Sequence, residues 1–231
     1  MNAGNHSKVY LLSALAILLM SFANCFARAQ RLSPVIAEFD KKARGSFQVE
    51  NLGEAPKIVS CKATGFRVDE HGAPIPGQLD NSLHVRIASE RTELAPRTTR
   101  QISFDATPAQ LPAWFMVSCK FIPVQRGSGL TIAMVLNSIV IIHGGAFNSS
   151  DITISASHSG SKVTLEVRNQ GNGLVRVDSC EVSGRKAKST LNTFLLFPHQ
   201  TRIAETNWND ADTPKIAKVR IGRQKYEVPI S

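Results

Sequence analysis

The amino-acid sequence predicts an all-β protein built from two tandem β-sandwich domains, and three observations lead there. A short passage occurs twice: Phe47-Gln-Val-Glu-Asn-Leu-Gly53 followed by Lys57-Ile-Val-Ser-Cys-Lys62 is echoed by Leu165-Glu-Val-Arg-Asn-Gln-Gly171 followed by Arg176-Val-Asp-Ser-Cys-Glu181. Each copy reads as an alternating strand, a turn on Asn-x-Gly and a second β-rich run ending in Cys, with one residue more between Asn and Cys in the second copy. Short alternating runs recur with turn chemistry about every 8 to 12 residues, and no segment combines helical periodicity with helix caps.

Residues 1–29 read as an export signal. Lys8 supplies the positive flank, Leu11 to Met20 the apolar stretch and Ala27-Arg-Ala29 the cleavage site, so the mature chain begins near Gln30. The apolar stretch is shorter than the roughly 20 residues that span a bilayer. Cys25 lies inside the signal, without the small residues that should follow a lipid-modified cysteine. About 200 residues remain, enough for two domains of roughly 100 each. These are an N-terminal domain over 30–143 and a C-terminal domain over 144–231, joined at His143-Gly-Gly-Ala-Phe-Asn148, where paired glycines permit a bend. In the first, Ser46 to Glu50 alternates with Phe47 and Val49 inward, Gln101 to Phe104 follows a turn at Pro96, and Trp114 to Ile122 alternates up to Pro123. In the second, Asp151 to Ser157 and Lys162 to Arg168 alternate, with Val163, Leu165 and Val167 on one face.

The formal charge of +9 falls to +7 when Lys8 and Arg28 leave with the signal. The cations are scattered, and their densest cluster, Arg185-Lys-Ala-Lys188, is a short loop-like run without interleaved aromatics; this argues for a solvated surface and against nucleic-acid binding. Three cysteines remain: Cys61, Cys119 and Cys180. Parity puts Cys61 with Val59 and Ala63, and Cys119 with Phe115, Val117 and Phe121, on buried strand faces. A disulfide between them, worth roughly 4 kcal/mol by loop-closure entropy, or two packed thiols fits that pattern. Cys180 falls on the polar parity of its run and is expected to be unpaired. No two cysteines are spaced for a zinc site.

Catalysis has little support in this sequence. It has no Gly-x-Ser-x-Gly elbow, no His-Glu-x-x-His helix and no phosphate-binding glycine loop. The histidines are dispersed, with His71 and His158 beside Gly or Ser in expected turns. No enzyme activity, metal or other cofactor is expected.

Leu130 to Ile142 is an unusually long β-rich run. Leu130, Ile132, Met134 and Leu136 share one parity, Thr131, Ala133, Val135 and Asn137 the other, and both faces turn apolar from Ile139 to Ile142. A central strand buried on both sides fits this pattern. So does a strand whose ridge and backbone are offered to a partner lacking a strand of its own.

From about Leu32 to His143 the chain resembles the N-terminal domain of periplasmic pilus-assembly chaperones of the chaperone/usher class. The resemblance lies in Phe47-Gln-Val-Glu-Asn-Leu-Gly53, Leu94-Ala-Pro-Arg-Thr-Thr-Arg-Gln-Ile102, Leu111-Pro112 leading through Trp114 to Phe121-Ile-Pro123, and Leu130-Thr-Ile-Ala-Met134 continuing to Ile142, in that order and spacing. The second half is similar to the family's shorter C-terminal sandwich. The resemblance implies two immunoglobulin-like domains in a boomerang, acting in the periplasm. It also implies a pilin-like or coat-like subunit as partner, an outer-membrane usher to receive it, and no membrane embedding after cleavage. In such proteins the strand matching Leu130, Ile132, Met134 and Leu136 inserts its apolar side chains into the subunit's groove, at roughly 1.5 to 3 kcal/mol for each one buried.

Two departures stand out. The family's arginine on the first strand and lysine late in the long strand, which bind the subunit's terminal carboxylate, fall here near Pro34 and Ile139, neither cationic. The loop after Leu111-Pro112 is also shortened. The competing class is a secreted two-sandwich structural or adhesive protein that keeps its long strand buried.

Overall fold

The computed structural model describes residues 30–124, 132–144, 148–208 and 212–231. The expected export signal therefore lies outside the described residues, as does Leu130. The chain is almost entirely strand. Its first half holds β1 (Arg31–Ser33), β2 (Ile36–Asp40), β3 (Ala43–Asn51), β4 (Lys57–Val68), β5 (Pro74–Gly77), β6 (Leu83–Ile87), β7 (Arg91–Leu94), β8 (Thr98–Pro108), β9 (Ala113–Pro123) and β10 (Met134–His143). Its second half holds β11 (Ile152–Ser159), β12 (Lys162–Asn169), β13 (Val175–Ser183), β14 (Lys188–Leu191), β15 (Phe194–Leu196), β16 (Thr201–Asn207), β17 (Ile216–Ile221) and β18 (Gln224–Pro229). The first ten form two sheets, ordered β1-β3-β8-β6 and β2-β10-β9-β4-β5 with β7 also on β4. The last eight form β11-β12-β16 and β14-β13-β17-β18 with β15 also on β13. Each half is thus a sandwich of two sheets, and the protein has the two-domain β-sandwich fold.

Alternation explains why these segments are strands and which face each buries. Phe47 and Val49 of β3, Ile102 and Phe104 of β8, Val59 of β4, Phe115, Val117 and Phe121 of β9, and Val140 and Ile142 of β10 fill the first core. Phe104 stacks on Phe47 at 4.6 Å between centroids and meets Phe115 edge-on at 6.2 Å. Val163, Leu165 and Val167 of β12 face Val175, Val177 and Val182 of β13 across the second core. Strands that sequence reading passed over are short or weakly patterned. β5, for example, carries two prolines and is exposed throughout, and it is an edge strand, where proline is tolerated. It lies so close to β4 that a Cβ on Gly65 would stand 1.9 Å from the Gln78 carbonyl oxygen.

The repeated passage folds the same way twice. Asn51, fully buried at the end of β3, accepts from the Gly53 amide at 3.2 Å and donates to the carbonyls of Ala55 at 2.9 Å and Ala95 at 3.0 Å. Asn169, buried at the end of β12, accepts from Gly171 at 3.1 Å and donates to Gly173 at 2.8 Å and Phe197 at 3.0 Å. One side chain thus closes the turn and ties it to a distant loop in each half. The extra residue of the second copy is absorbed as a β-bulge, where the β13–β17 register shifts between Val177 and Ser179. That shift reverses parity and corrects the expectation for Cys180, which is buried in the core at the position equivalent to Cys61 and is a free thiol. Burial pushes its pKa up to about 11. His158, expected in a turn, instead lies within β11, while His71 does occupy a turn, between β4 and β5.

The two halves meet through a third apolar cluster. Phe66 of β4, Trp114 and Met116 of β9 and Ile139 of β10 pack with Leu174, Leu195 and Phe197 from the second half. Phe197 lies 5.0 Å from Trp114 and 5.7 Å from Phe66, both edge-on. Around it the Ile203 amide donates to the Glu70 carbonyl at 2.7 Å, and Gln200 donates to Asp69 at 3.0 Å. Arg176 of β13 donates to Glu38 of β2, whose other oxygen lies 2.8 Å from His143. Partial burial works to raise the Glu38 pKa, but the hydrogen bonds from Arg176 and His143 outweigh it and hold this carboxyl below its ordinary value.

Two predictions follow from these contacts. Asn51→Ala should lower stability by about 2 to 3 kcal/mol in urea denaturation, because it strands buried carbonyls and an amide. Asn51→Asp should cost at least as much, since a carboxylate cannot donate; a loss of under about 0.5 kcal/mol for either would mean that other contacts hold the turn. Glu38 contributes stability that is present in full above its ordinary carboxylate value of 4.5 and is lost as pH falls through the lowered folded value. The difference in Tm between the wild type and Glu38→Gln should therefore shrink as pH drops below 4.5. A pH-independent difference would remove the ion pair from the account of the junction.

Candidate functional site

Strand β10 changes character along its length. From Ile139 to Ile142 it pairs with β9 on one edge and, in parallel, with β2 on the other, the β2 pairing running on to His143. Val140, Ile141 and Ile142 are fully buried there, and Ile139 packs into the junction cluster. From Met134 to Asn137 it pairs with β9, while the β2 register begins only at Ile139. The Ile139 amide donates to the Val35 carbonyl at 2.9 Å. Because backbone groups of successive residues alternate between edges, those of Val135 and Asn137 also aim at the β2 side, where no described strand meets them. Ser138, buried, marks the change by donating its hydroxyl to the Pro34 carbonyl at 2.6 Å.

Large exposed apolar side chains gather around this open edge. Ile132 is 73% exposed, Val135 53% and Met134 37%; across the point where β2 joins, Val35 is 66% exposed and Ile36 47%. Sequence reading placed the site at Leu130, Ile132, Met134 and Leu136. Ile132 precedes the strand, Met134 begins it, and Leu136 is half-buried against the first core. The exposed ridge among the described residues is therefore Ile132 and Met134, with Val135 on the opposite face. Val135, Val35 and Ile36 were missed. The apolar pair directly after Pro34 was a usable signal, since nothing in its own strand alternates to bury both residues.

Cys119 of β9 stands opposite Leu136 of β10 on one side and Cys61 of β4 on the other, and the two cysteines are joined as a disulfide with sulfurs 2.03 Å apart. Pro34 and Ile139 sit where the open edge closes, and neither brings a cation. Arg31 points to Glu50 at 3.9 Å on the other sheet, and Arg176 at the junction is taken by Glu38; Arg202 of β16 also reaches the first half, where a Cβ on Gly72 would meet its guanidinium. Among the described residues no cluster of three His, Cys, Asp or Glu side chains is arranged to hold a metal ion. What this arrangement offers is backbone hydrogen-bonding capacity beside apolar surface, and it fits β-strand addition.

Neither a protein-family model nor a curated protein matches the sequence. Solved structures match in fold. The YadV chaperone aligns with a TM-score of 0.54 at 14% identity, over 83% of this chain and 91% of that one. The Salmonella enterica SafB chaperone, solved in complex with the SafA pilin, aligns with a TM-score of 0.54 at 13% identity, over 87% and 96% of the two chains. The E. coli chaperone DraB aligns with a TM-score of 0.52 at 10% identity, over 88% and 97%. Over most of its length, this chain has the two-domain β-sandwich fold of these chaperones.

Proposed function

We propose that the chain is a periplasmic chaperone that binds pilin-like or coat-like subunits by adding the open edge of β10 to a subunit that lacks a strand, and hands them to an outer-membrane usher. The observation that carries this proposal is the unpaired edge from Met134 to Asn137 with Ile132 and Met134 exposed beside it. An exposed strand edge flanked by large apolar side chains is an aggregation hazard unless a partner covers it. Burying Ile132 and Met134 would contribute roughly 1.5 to 3 kcal/mol each, and the strand hydrogen bonds would fix orientation. The role needs no chemistry and no cofactor. In this proposal residues 1–29 are the export signal, 30–143 the strand-donating domain, and 144–231 the second sandwich that buries the far end of β10. Support from the comparisons is the shared fold, including that of a chaperone solved with its pilin.

The test is to recover the mature protein from its native exported fraction and identify what co-purifies, beside an Ile132→Asp/Met134→Asp variant. A small β-rich subunit held by the wild type and lost from the folded variant is the expected result. No client with either folded protein would favour a secreted structural or adhesive module. Export also bears on the cysteines. Thiol titration of the unfolded mature protein should find Cys180 alone free, whereas three thiols would show that Cys61 and Cys119 are not joined in the exported protein.

A further inference from the structure

The open edge of β10 has a fixed end. β2 occupies the same edge and begins its register at Ile139, so a strand added along Met134 to Asn137 lies in line with β2 and must stop or turn where β2 starts. There the chain crosses between the two sheets of the sandwich: Ser33 still pairs with Gln48 of β3, and Ile36 already pairs with Ile139 of β10. Val35, in the bend between β1 and β2, and Ile36 are both exposed at this crossing. The backbone around them is engaged. The Pro34 carbonyl accepts from the Ser138 hydroxyl at 2.6 Å and the Val35 carbonyl from the Ile139 amide at 2.9 Å, while Pro34 has no amide hydrogen to offer. Pro34, Val35, Ile36, Asn137 and Ser138 are all uncharged. Glu38, two residues along β2 from Ile36, is held by Arg176 and His143, and Arg31 leans to Glu50 on the other sheet. Lys120 stands opposite Val135 on β9, with Lys62 on β4 and Arg91 on β7 beyond it, all across β10 from an added strand.

We infer that Val35 and Ile36 form a subsite for an aliphatic residue at the end of the added strand, and that this subsite selects an uncharged, apolar segment of the partner over one that ends there in a charged group. This rests on the strand-addition reading of β10. The subsite is continuous with apolar surface already described. Ile36 stands opposite Ile139, which packs with Leu174, Leu195 and Phe197 at the junction, and the exposed Ile132 and Met134 lie along the same open strand. An aliphatic side chain seated at the crossing covers Val35 and Ile36 and gains in proportion to the apolar area removed from water. A carboxylate or ammonium group brought to the same place gives up hydration and meets no opposite charge that is not already engaged, which works against binding. Selection therefore comes as much from what the closed end rejects as from what it holds.

The probe is a peptide of alternating Val and Thr with Leu at both ends, capped as acetyl and amide, so that either strand direction brings Leu to the closed end. It is titrated into the isotope-labelled mature protein and followed by NMR at the amides of Val135 and Asn137, beside two counterparts that carry Ser or Asp at both ends. Wild type should bind the Leu-ended peptide about tenfold tighter than the Ser-ended one and bind the Asp-ended one weakest. Val35→Ser/Ile36→Ser should abolish the preference for Leu while leaving the Ser-ended peptide unchanged, and Val35→Lys should raise the Asp-ended peptide above the Ser-ended one. The same spectra establish that each variant is folded. Ile132→Asp/Met134→Asp should weaken all three peptides alike, because it disturbs the edge and not its end. A preference for Leu that survives Val35→Ser/Ile36→Ser in the folded protein overturns the inference, as does a wild type with no such preference or with no binding of the Leu-ended peptide. Strand addition still stands in those cases if the native client is lost from the Ile132/Met134 variant. Peptides that bind wild type and the Ile132/Met134 variant equally would overturn strand addition along β10, and the subsite with it.

Discussion

Everything in this molecule turns on β10 serving two environments along one strand. From Ile139 onward it is a central strand, paired on both edges and covered on both faces, by the first core under Val140 and Ile142 and by the junction around Ile139. Within that apolar run Ile139 packs with Leu174, Leu195 and Phe197 of the second sandwich, which cover a face that a lone domain would leave wet. Before Ile139 the strand keeps one neighbour, β9. The second half is therefore what anchors β10 firmly enough for its beginning to be left open.

The buried asparagines show how the two sandwiches came to share a sequence signature without sharing a surface. Asn51 and Asn169 each close a tight turn and bind a carbonyl in a loop from elsewhere in their own half. A buried amide must have both its donor and its acceptor satisfied, which restricts the position far more than a surface turn would. The loop tied by Asn169 carries Phe197, the aromatic that wedges between Trp114 and Phe66. The turn that defines the second sandwich thus also sets the residue that joins it to the first.

Much of the fold was legible because its signals are local. The double passage, the alternation in β3, β9 and β12 and the parity of Cys61 and Cys119 are all written within single strands. What was not legible depended on pairing between segments far apart in sequence. The parity of Cys180 could not be read without knowing that the extra residue near Asp178 would be taken up as a bulge against β17. The site was legible in part for the same reason. The apolar parity of Ile132, Met134 and Leu136 is visible in the chain, but Leu136 turns into the first core once β9 is alongside, and Val135 stays exposed while Ile139, of the same parity, is covered by the junction cluster. The cations near Val135 come from three other strands, and no linear pattern unites them.

The distribution of charge bears on how a partner would be held. At the closed end of the open edge the relevant positions are Pro34, Ser138 and Ile139, joined by a neutral hydroxyl-to-carbonyl bond, and Arg176, a cation at the junction, is already bound to Glu38. A carboxylate arriving there would have to compete with Glu38 for Arg176, placing two like charges beside one cation. Lys62, Arg91 and Lys120, which have no ion-pair partner among the described residues, lie on the outer sheet face, on the β9 side of the strand. A strand added on the open side of β10 would stand across β10 from these cations, so its hold rests on backbone hydrogen bonds and the apolar ridge rather than on charge.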